Sequence, residues 1–276
     1  MSNTKELQLK ILEIYKEVKY LLDKYNLPYF AIGGTAIGAV RHGGFIPWDG
    51  DMDIAMPRED YNKFLDILDR ELPEKYFLRR ASSSLHIFTK YAKIIDKETT
   101  LIEKAVQKFP ERDGGVFFDI FPVDGISDNK FVAFYDITIL NIVNLLDRLF
   151  AFDILYLGTI LNWTGFPKFC RKVHERVASK HSVYKTKEFA FKFLYPKNNT
   201  IKFKSSWISE LIDLKFEDTT VKIFKDYDDY LKTNFGNYMQ LPPKDQQQDN
   251  HFPVYLNLNM PYTEYRNMLK KQKGSK

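Results

Sequence analysis

A single cysteine, Cys170, stands in a chain of 276 residues, so no disulfide can close within it. That absence suits a reducing compartment such as the cytosol. The opening Met1-Ser2-Asn3-Thr4-Lys5-Glu6 lacks the apolar core of a signal peptide. The expected location is therefore cytoplasmic, with peripheral contact at the inner face of the cytoplasmic membrane as the one variation. There is no internal repeat and no long low-complexity stretch, which excludes a repeat array. The longest uncharged run, Ile154 to Pro167, is short for a bilayer crossing and contains Asn162 and Gly165.

What is present is a core-forming composition. Hydrophobic residues make up 44% and charged residues 28%, which excludes wholesale disorder. The formal net charge is +5. Simple solubility accounts for it, as does attraction to anionic partners: nucleotides, phosphorylated glycans or an anionic membrane face. Lys270, Lys271, Lys273 and Lys276 read as a solvated end.

Periodicity predicts a helix over residues 4–25, where Leu7, Ile11, Ile14, Val18, Leu21 and Leu22 fall on one face. An apolar run at 29–32 predicts a strand. Gly33-Gly34 turns it into a short helix over 34–41, and a loop from His42 to Trp48 leads to a strand at 51–56. Pro57 opens a helix over 58–70. Strands are expected at 76–80, 87–95 and 116–121, the last ended by Pro122 and Asp124-Gly125. Residues 131–182 read as an apolar, mainly helical region, either a buried subdomain or a surface resting on a membrane or amphiphilic substrate. A strand at 216–223 and a helix at 225–234, closed by Gly236, complete the pass. The fold class is α/β (α+β): a mixed sheet core flanked by helices, with a helical apolar insertion. The division is 1–130 for the core, 131–200 for the helical part and 201–276 for a segment packing back on the core.

The chemistry concentrates in Trp48-Asp49-Gly50-Asp51-Met52-Asp53-Ile54. Residues i and i+2 of a strand share a face, roughly 6.6 Å apart. Asp51 and Asp53 then converge, with Asp49 at the rim, and three like charges so placed need a cation among them. Hard oxygen ligands suit Mg²⁺, or Mn²⁺. A solvated acidic turn is the bland alternative. An EF-hand loop fails because Ile54 stands where that loop needs glycine. Asp119, amid Phe117, Phe118, Ile120 and Phe121, demands a partner; it is a metal ligand, a general base or a salt-bridged structural residue. Asp124 is a reserve candidate in a turn-forming context.

Gly33-Gly34-Thr35 at a helix start can cradle phosphate oxygens, although paired glycines usually mark only a turn. Arg41 and His42 lie between that turn and the aspartates. Lys93 is a donor-phosphate ligand or a surface lysine. His86 and His251 have no identified neighbour. Trp48 reads as a packing residue of the loop. Together these residues point to metal-dependent phosphoryl-group transfer, with no nucleic acid partner.

The run from Gly33 through Arg41-His42-Gly43-Gly44-Phe45-Ile46-Pro47-Trp48 to Ile54 resembles the signature of the LicD family, itself similar to fukutin-type phosphotransferases of the nucleotidyltransferase-fold superfamily. Asp119-Ile120-Phe121-Pro122-Val123-Asp124 resembles the second motif, and Gly236-Asn237-Tyr238-Met239-Gln240-Leu241-Pro242-Pro243 a third. Gly50 stands where the family commonly has another Asp, and Asn234-Phe235-Gly236-Asn237 departs from the usual Tyr-Gly-Asp form. The resemblance implies a nucleotidyltransferase-like catalytic core. It implies transfer of phosphocholine from CDP-choline to a sugar hydroxyl of a cell-surface glycan precursor, of teichoic acid or lipopolysaccharide type, with release of CMP. It places Mg²⁺ on Asp49, Asp51, Asp53 and Asp119 and phosphate on Gly33, Gly34 and Thr35, and has Asp119 or Asp53 take the acceptor proton. With the reading of the residues above, the expected catalytic set is Asp51, Asp53 and Asp119, and Arg41 and Lys93 join the substrate-binding residues. Nucleotidyl transfer, transfer of phosphoethanolamine or a polyol phosphate, and a catalytically silent binding scaffold remain the alternatives.

Overall fold

The computed structural model describes residues 3–81, 90–104, 114–151, 161, 164–192, 201–248 and 253–274. His86 and His251 lie outside the described residues, as does the first part of the strand expected at 87–95. Helix α1 is Asn3–Lys24, and its predicted apolar stripe is buried throughout. Then come β1 (Phe30–Ala31), α2 (Gly33–His42), β2 (Asp53–Pro57), α3 (Arg58–Glu71), β3 (Tyr76–Arg79), β4 (Ala92–Asp96), β5 (Thr100–Glu103) and β6 (Phe117–Ile126). The helices α4 (Lys130–Ala151) and α5 (Phe166–Ala178) follow. The chain continues as β7 (Glu188–Ala190), β8 (Phe203–Lys204), β9 (Leu211–Phe216), β10 (Thr219–Phe224), α6 (Tyr227–Phe235), β11 (Pro253–Asn257) and α7 (Tyr262–Gly274).

The main sheet runs β1-β2-β6-β4-β3, with β7 on the far end of β6 and β8 beside β7. Only β2 and β6 are parallel; the other pairs are antiparallel. Central β6 is buried along its whole length, which explains its continuous run of aromatic and β-branched residues. The fold is thus the mixed α/β architecture expected.

Two local expectations need correction. Pro122 and Asp124-Gly125 do not end β6. Pro122 pairs with Met56 of β2, beyond the last residue that β6 shares with β4. Among the described residues one side of the strand has no ladder there for the missing N–H to break. Asp124 and Gly125 then pair with Ala190 and Phe189 of β7. Glycine is needed at 125 because a Cβ would come within 2.6 Å of the Ser182 carbonyl oxygen. Second, the strand expected at 216–223 is the second arm of a hairpin, β9–β10, with Phe216 opposite Thr219. The charges of Asp213 and Lys215 hid the first arm.

The region 131–182 is helical over α4 and α5, which carry both a buried cluster and exposed aromatic residues. Val143 and Phe150 of α4 and Cys170 of α5 form their own small core. Phe131 and Phe134 of α4 stand 87% and 74% exposed. No helix among the described residues is long and apolar enough to cross a membrane.

His174 of α5 is buried, and its Nε2 lies 3.3 Å from the Lys192 carbonyl oxygen, bonded in the tautomer that donates. Burial, then the nearby Lys90, push its pKa from the usual 6.5 down to about 3. The folded state accepts the neutral ring, whereas the unfolded chain protonates it below 6.5. The stability it contributes is complete above pH 6.5 and is lost as pH falls toward 3. Below pH 6 the loss is expected to approach about 1.4 kcal/mol per pH unit. Urea melts of the protein and of His174→Gln between pH 7 and 5 check this, the variant being the flatter; parallel curves refute it.

Candidate active site

The parallel register of β2 on β6 places Asp53 directly opposite Asp119. The antiparallel register of β4 on the other side of β6 places Lys93 opposite Asp119. Residues in register share a face and lie about 4.8 Å apart. A row of carboxylate, carboxylate and ammonium therefore crosses three neighbouring strands. Lys93 Nζ donates to Asp119 Oδ2 at 2.8 Å, and both side chains are buried. The ammonium also lies 3.4 Å from the centroid of the Phe117 ring, which fixes it from the apolar side.

The backbone around Asp53 is tied on both sides. Its N–H donates to Thr35 Oγ1 at 2.8 Å, and its carbonyl accepts from Ile32 N–H at 3.3 Å. Thr35 thus positions Asp53 directly. Gly33 has φ +57°, and a Cβ there would lie 3.4 Å from Asp53 Oδ2. A Cβ on Gly34 would overlap Asp49 Oδ2. Both glycines are needed because the carboxylates lie against the first turn of α2, whose N–H groups favour anions.

Burial, and then the charges of Asp51 and Asp119, raise the Asp53 pKa far above the usual carboxylate value; Lys93 opposes them and Asp49 adds to them. The Asp119 pKa is also raised by burial, against the pull of Lys93. Asp53 Oδ1 and Asp119 Oδ1 are enclosed and accept no hydrogen bond among the described residues. Two orphaned carboxylate oxygens in a crowd of like charge are the environment a hard cation relieves. Among the described residues no three His, Cys, Asp or Glu side chains form a ready-made metal shell. The residues fit a divalent ion through the Asp53 and Asp119 oxygens, with Asp51 and Asp49 adjoining in charge.

A cavity of about 310 Å³ opens beside Gly33 and Asp53. Its wall is aromatic: Phe121 of β6, Phe191, Phe203 of β8, and Tyr230 and Phe235 of α6, with Asn234 beside them. Composition could not single out these rings, because they come from four separate stretches of chain.

Other candidates are placed elsewhere. Arg41 lies eight residues along α2 from Gly33, roughly 12 Å. Its guanidinium donates to the Tyr238 carbonyl at 2.6 Å and to that of Gln240 at 3.4 Å, clamping the Gly236–Pro243 stretch onto α2. His42 Nε2 accepts from Arg41 Nε. Asn237 pairs with Gln240 at the surface. Asp124 faces Arg58 in a bidentate pair at 2.8 and 2.9 Å, away from the row. Gln8 was not anticipated. Its Nε2 donates to the carbonyls of Ile46 at 3.0 Å and Asp49 at 2.9 Å, so α1 holds the acidic loop. The available signal was a polar residue within the apolar stripe of α1.

Residues 26–135 match the family model described as LicD/FKTN/FKRP, nucleotidyltransferase domain. The lipopolysaccharide cholinephosphotransferase LicD of Haemophilus influenzae is 29% identical over 258 residues, covering 90% of this chain and 95% of that protein. The uncharacterized proteins RT0683 of Rickettsia typhi and RP689 of Rickettsia prowazekii are 43% and 44% identical over 60 and 52 residues. Those matches cover 22% and 19% of this chain, and 19% and 20% of the two proteins.

Proposed function

We propose, from the match of residues 26–135 to the LicD family model and the likeness of the chain to a cholinephosphotransferase, that the protein transfers phosphocholine from CDP-choline to a sugar hydroxyl of a cell-surface glycan precursor. The observation that carries the reading is the Asp53–Asp119–Lys93 row abutting both the Gly33-Gly34 turn and an aromatic cavity. The relative's activity, named for lipopolysaccharide and choline, supports the substrate class.

Asp49, Asp51, Asp53 and Asp119 would hold Mg²⁺, or Mn²⁺. When bound, the ion neutralises charge on the transferring phosphoryl group. The first turn of α2 presents N–H groups to the phosphate oxygens. Asp119, fixed by Lys93 through Oδ2, gives Oδ1 to the ion, and Asp53, whose pKa burial and like charge raise, takes the proton of the acceptor hydroxyl. The hydroxyl oxygen bonds to the choline-bearing phosphorus, the bond from that phosphorus to the bridging oxygen breaks, and CMP leaves with the electron pair. The rings of Phe121, Phe191, Phe203, Tyr230 and Phe235 surround the quaternary ammonium, with the Asp53 carboxylate beside them.

Purified protein, Mg²⁺, CDP-choline and a lipopolysaccharide-type oligosaccharide should give CMP and phosphocholine-bearing acceptor in equal amounts. Pyrophosphate release from CTP, or turnover indifferent to chelator, overturns the reading. Phe235, 41% exposed, can be changed without opening the core. Phe235→Ala should raise the KM for CDP-choline by about 5-fold, and less for CDP-ethanolamine, as loss of one ring from a cation–π wall implies. An equal change for both donors removes the cavity from head-group recognition.

A further inference from the structure

A second cavity, of about 330 Å³, lies between α3 and α5 and has no part in the chemistry above. Its lining carries six basic side chains, Arg58, Arg80, Lys90, Lys168, Arg171 and Lys172, against one acid, Glu175. Arg58 follows β2 and stands five residues from Asp53, roughly 16 Å along extended chain. This cavity therefore sits at the opposite end of β2 from the catalytic row.

The basic groups are unequally neutralised. Arg58 is paired with Asp124, and Arg80 with Asp66 and Asp69. One carboxylate, Asp147, serves two cations, Lys90 at 3.0 Å and Arg171 at 3.9 Å. Lys168 and Lys172 sit one turn apart on the exposed side of α5 and form no ion pair among the described residues. Burial depresses the pKa of both Lys90 and Arg171, and Asp147 opposes it in each. Six cations against one acid line the cavity, and two of them, Lys168 and Lys172, are exposed lysines at its mouth, the arrangement that takes up an anion.

We propose that this cavity is a binding site for a phosphate mono- or diester, and that its occupant in turnover is a phosphate carried by the acceptor at a distance from the hydroxyl that reacts. The first half of the proposal stands on the cavity; only the assignment to the acceptor rests on the reading of the catalytic site. The donor's reacting phosphate belongs at the Gly33-Gly34 turn, so the far end of β2 is left for the acceptor. Lys168 and Lys172 would hold the ester at the mouth, with the Lys90 and Arg171 charges behind them. The phosphate comes from a soluble phosphorylated glycan or from a lipid headgroup.

The test titrates the full chain, at low ionic strength, with inorganic phosphate and glycerol 1-phosphate, and with phosphatidylglycerol vesicles against phosphatidylcholine vesicles. The Lys168→Glu/Lys172→Glu variant should bind phosphate about tenfold more weakly or worse, whereas Asp53→Asn should bind it as the unaltered protein does. Both lysines are exposed, so the double variant should melt with the parent. Glycerol 1-phosphate binding as tightly as the vesicles identifies a soluble phosphate; binding confined to phosphatidylglycerol vesicles identifies a headgroup. Equal binding by the parent and the double variant, or no binding of any probe, overturns the proposal. CDP-choline turnover is measured separately, so a silent catalytic site with an intact phosphate titration sinks only the reading of the reaction.

Discussion

Asp53→Asn should lower CMP release by roughly 1,000-fold or more while leaving the protein at least as stable as the parent. The two parts of this expectation come from one observation. Asp53 faces Asp119 across the β2–β6 ladder, and its charge is disfavoured by burial and by Asp51, Asp119 and Asp49. Replacing the carboxylate with an amide of the same shape removes a charge that the fold resists. It also removes an anionic ligand whose Oδ1 accepts no hydrogen bond among the described residues. A purely structural aspartate would behave in the opposite way, and its loss would destabilise. Asp51→Asn should follow the same direction. Thermal melts beside single-turnover CMP release separate the cases. Parent-like rates in both variants dismiss the acidic row as the reaction centre, and a large fall in melting temperature reassigns Asp53 to the scaffold.

Asp124→Ala should cost about 3–5 kcal/mol of stability, because it strands a buried guanidinium. Asp124 is fully enclosed and Arg58 nearly so, and the two share hydrogen bonds of 2.9 and 2.8 Å. Their position explains the scale. Asp124 is the first residue of β6 paired with β7, and Arg58 is the first residue of α3. The pair fastens the start of α3 to the point where β6 changes partners. Asp124→Asn keeps an acceptor for one N–H and should cost about half as much. Urea melts check both, and an alanine variant within 1 kcal/mol of the parent would mean that water reaches Arg58.

How much of this was legible in advance differs from residue to residue. The α1 stripe, the glycine turn and the Asp49-Asp51-Asp53 run were all visible, because helical and strand periods act over a few neighbouring residues. Asp119 was conspicuous as a charge in an apolar strand, but three roles stayed open. Only the register of β6 against β2 and β4 put Lys93 on one oxygen and left the other bare. Arg41 shows the converse. Its place between two motifs suggested phosphate, yet its guanidinium meets carbonyls of the Gly236–Pro243 stretch almost two hundred residues away.

The sequence alone determined the mixed α/β class, the acidic run and the glycine turn, since hydrophobic period, turn chemistry and like-charge crowding are properties of adjacent residues. Tertiary structure alone decided that Asp53, Asp119 and Lys93 form one row and that five rings from distant segments close one cavity. It also decided that Asp124 serves Arg58. Strand register and helix docking depend on which apolar faces bury one another across long separations, and no local pattern encodes that choice.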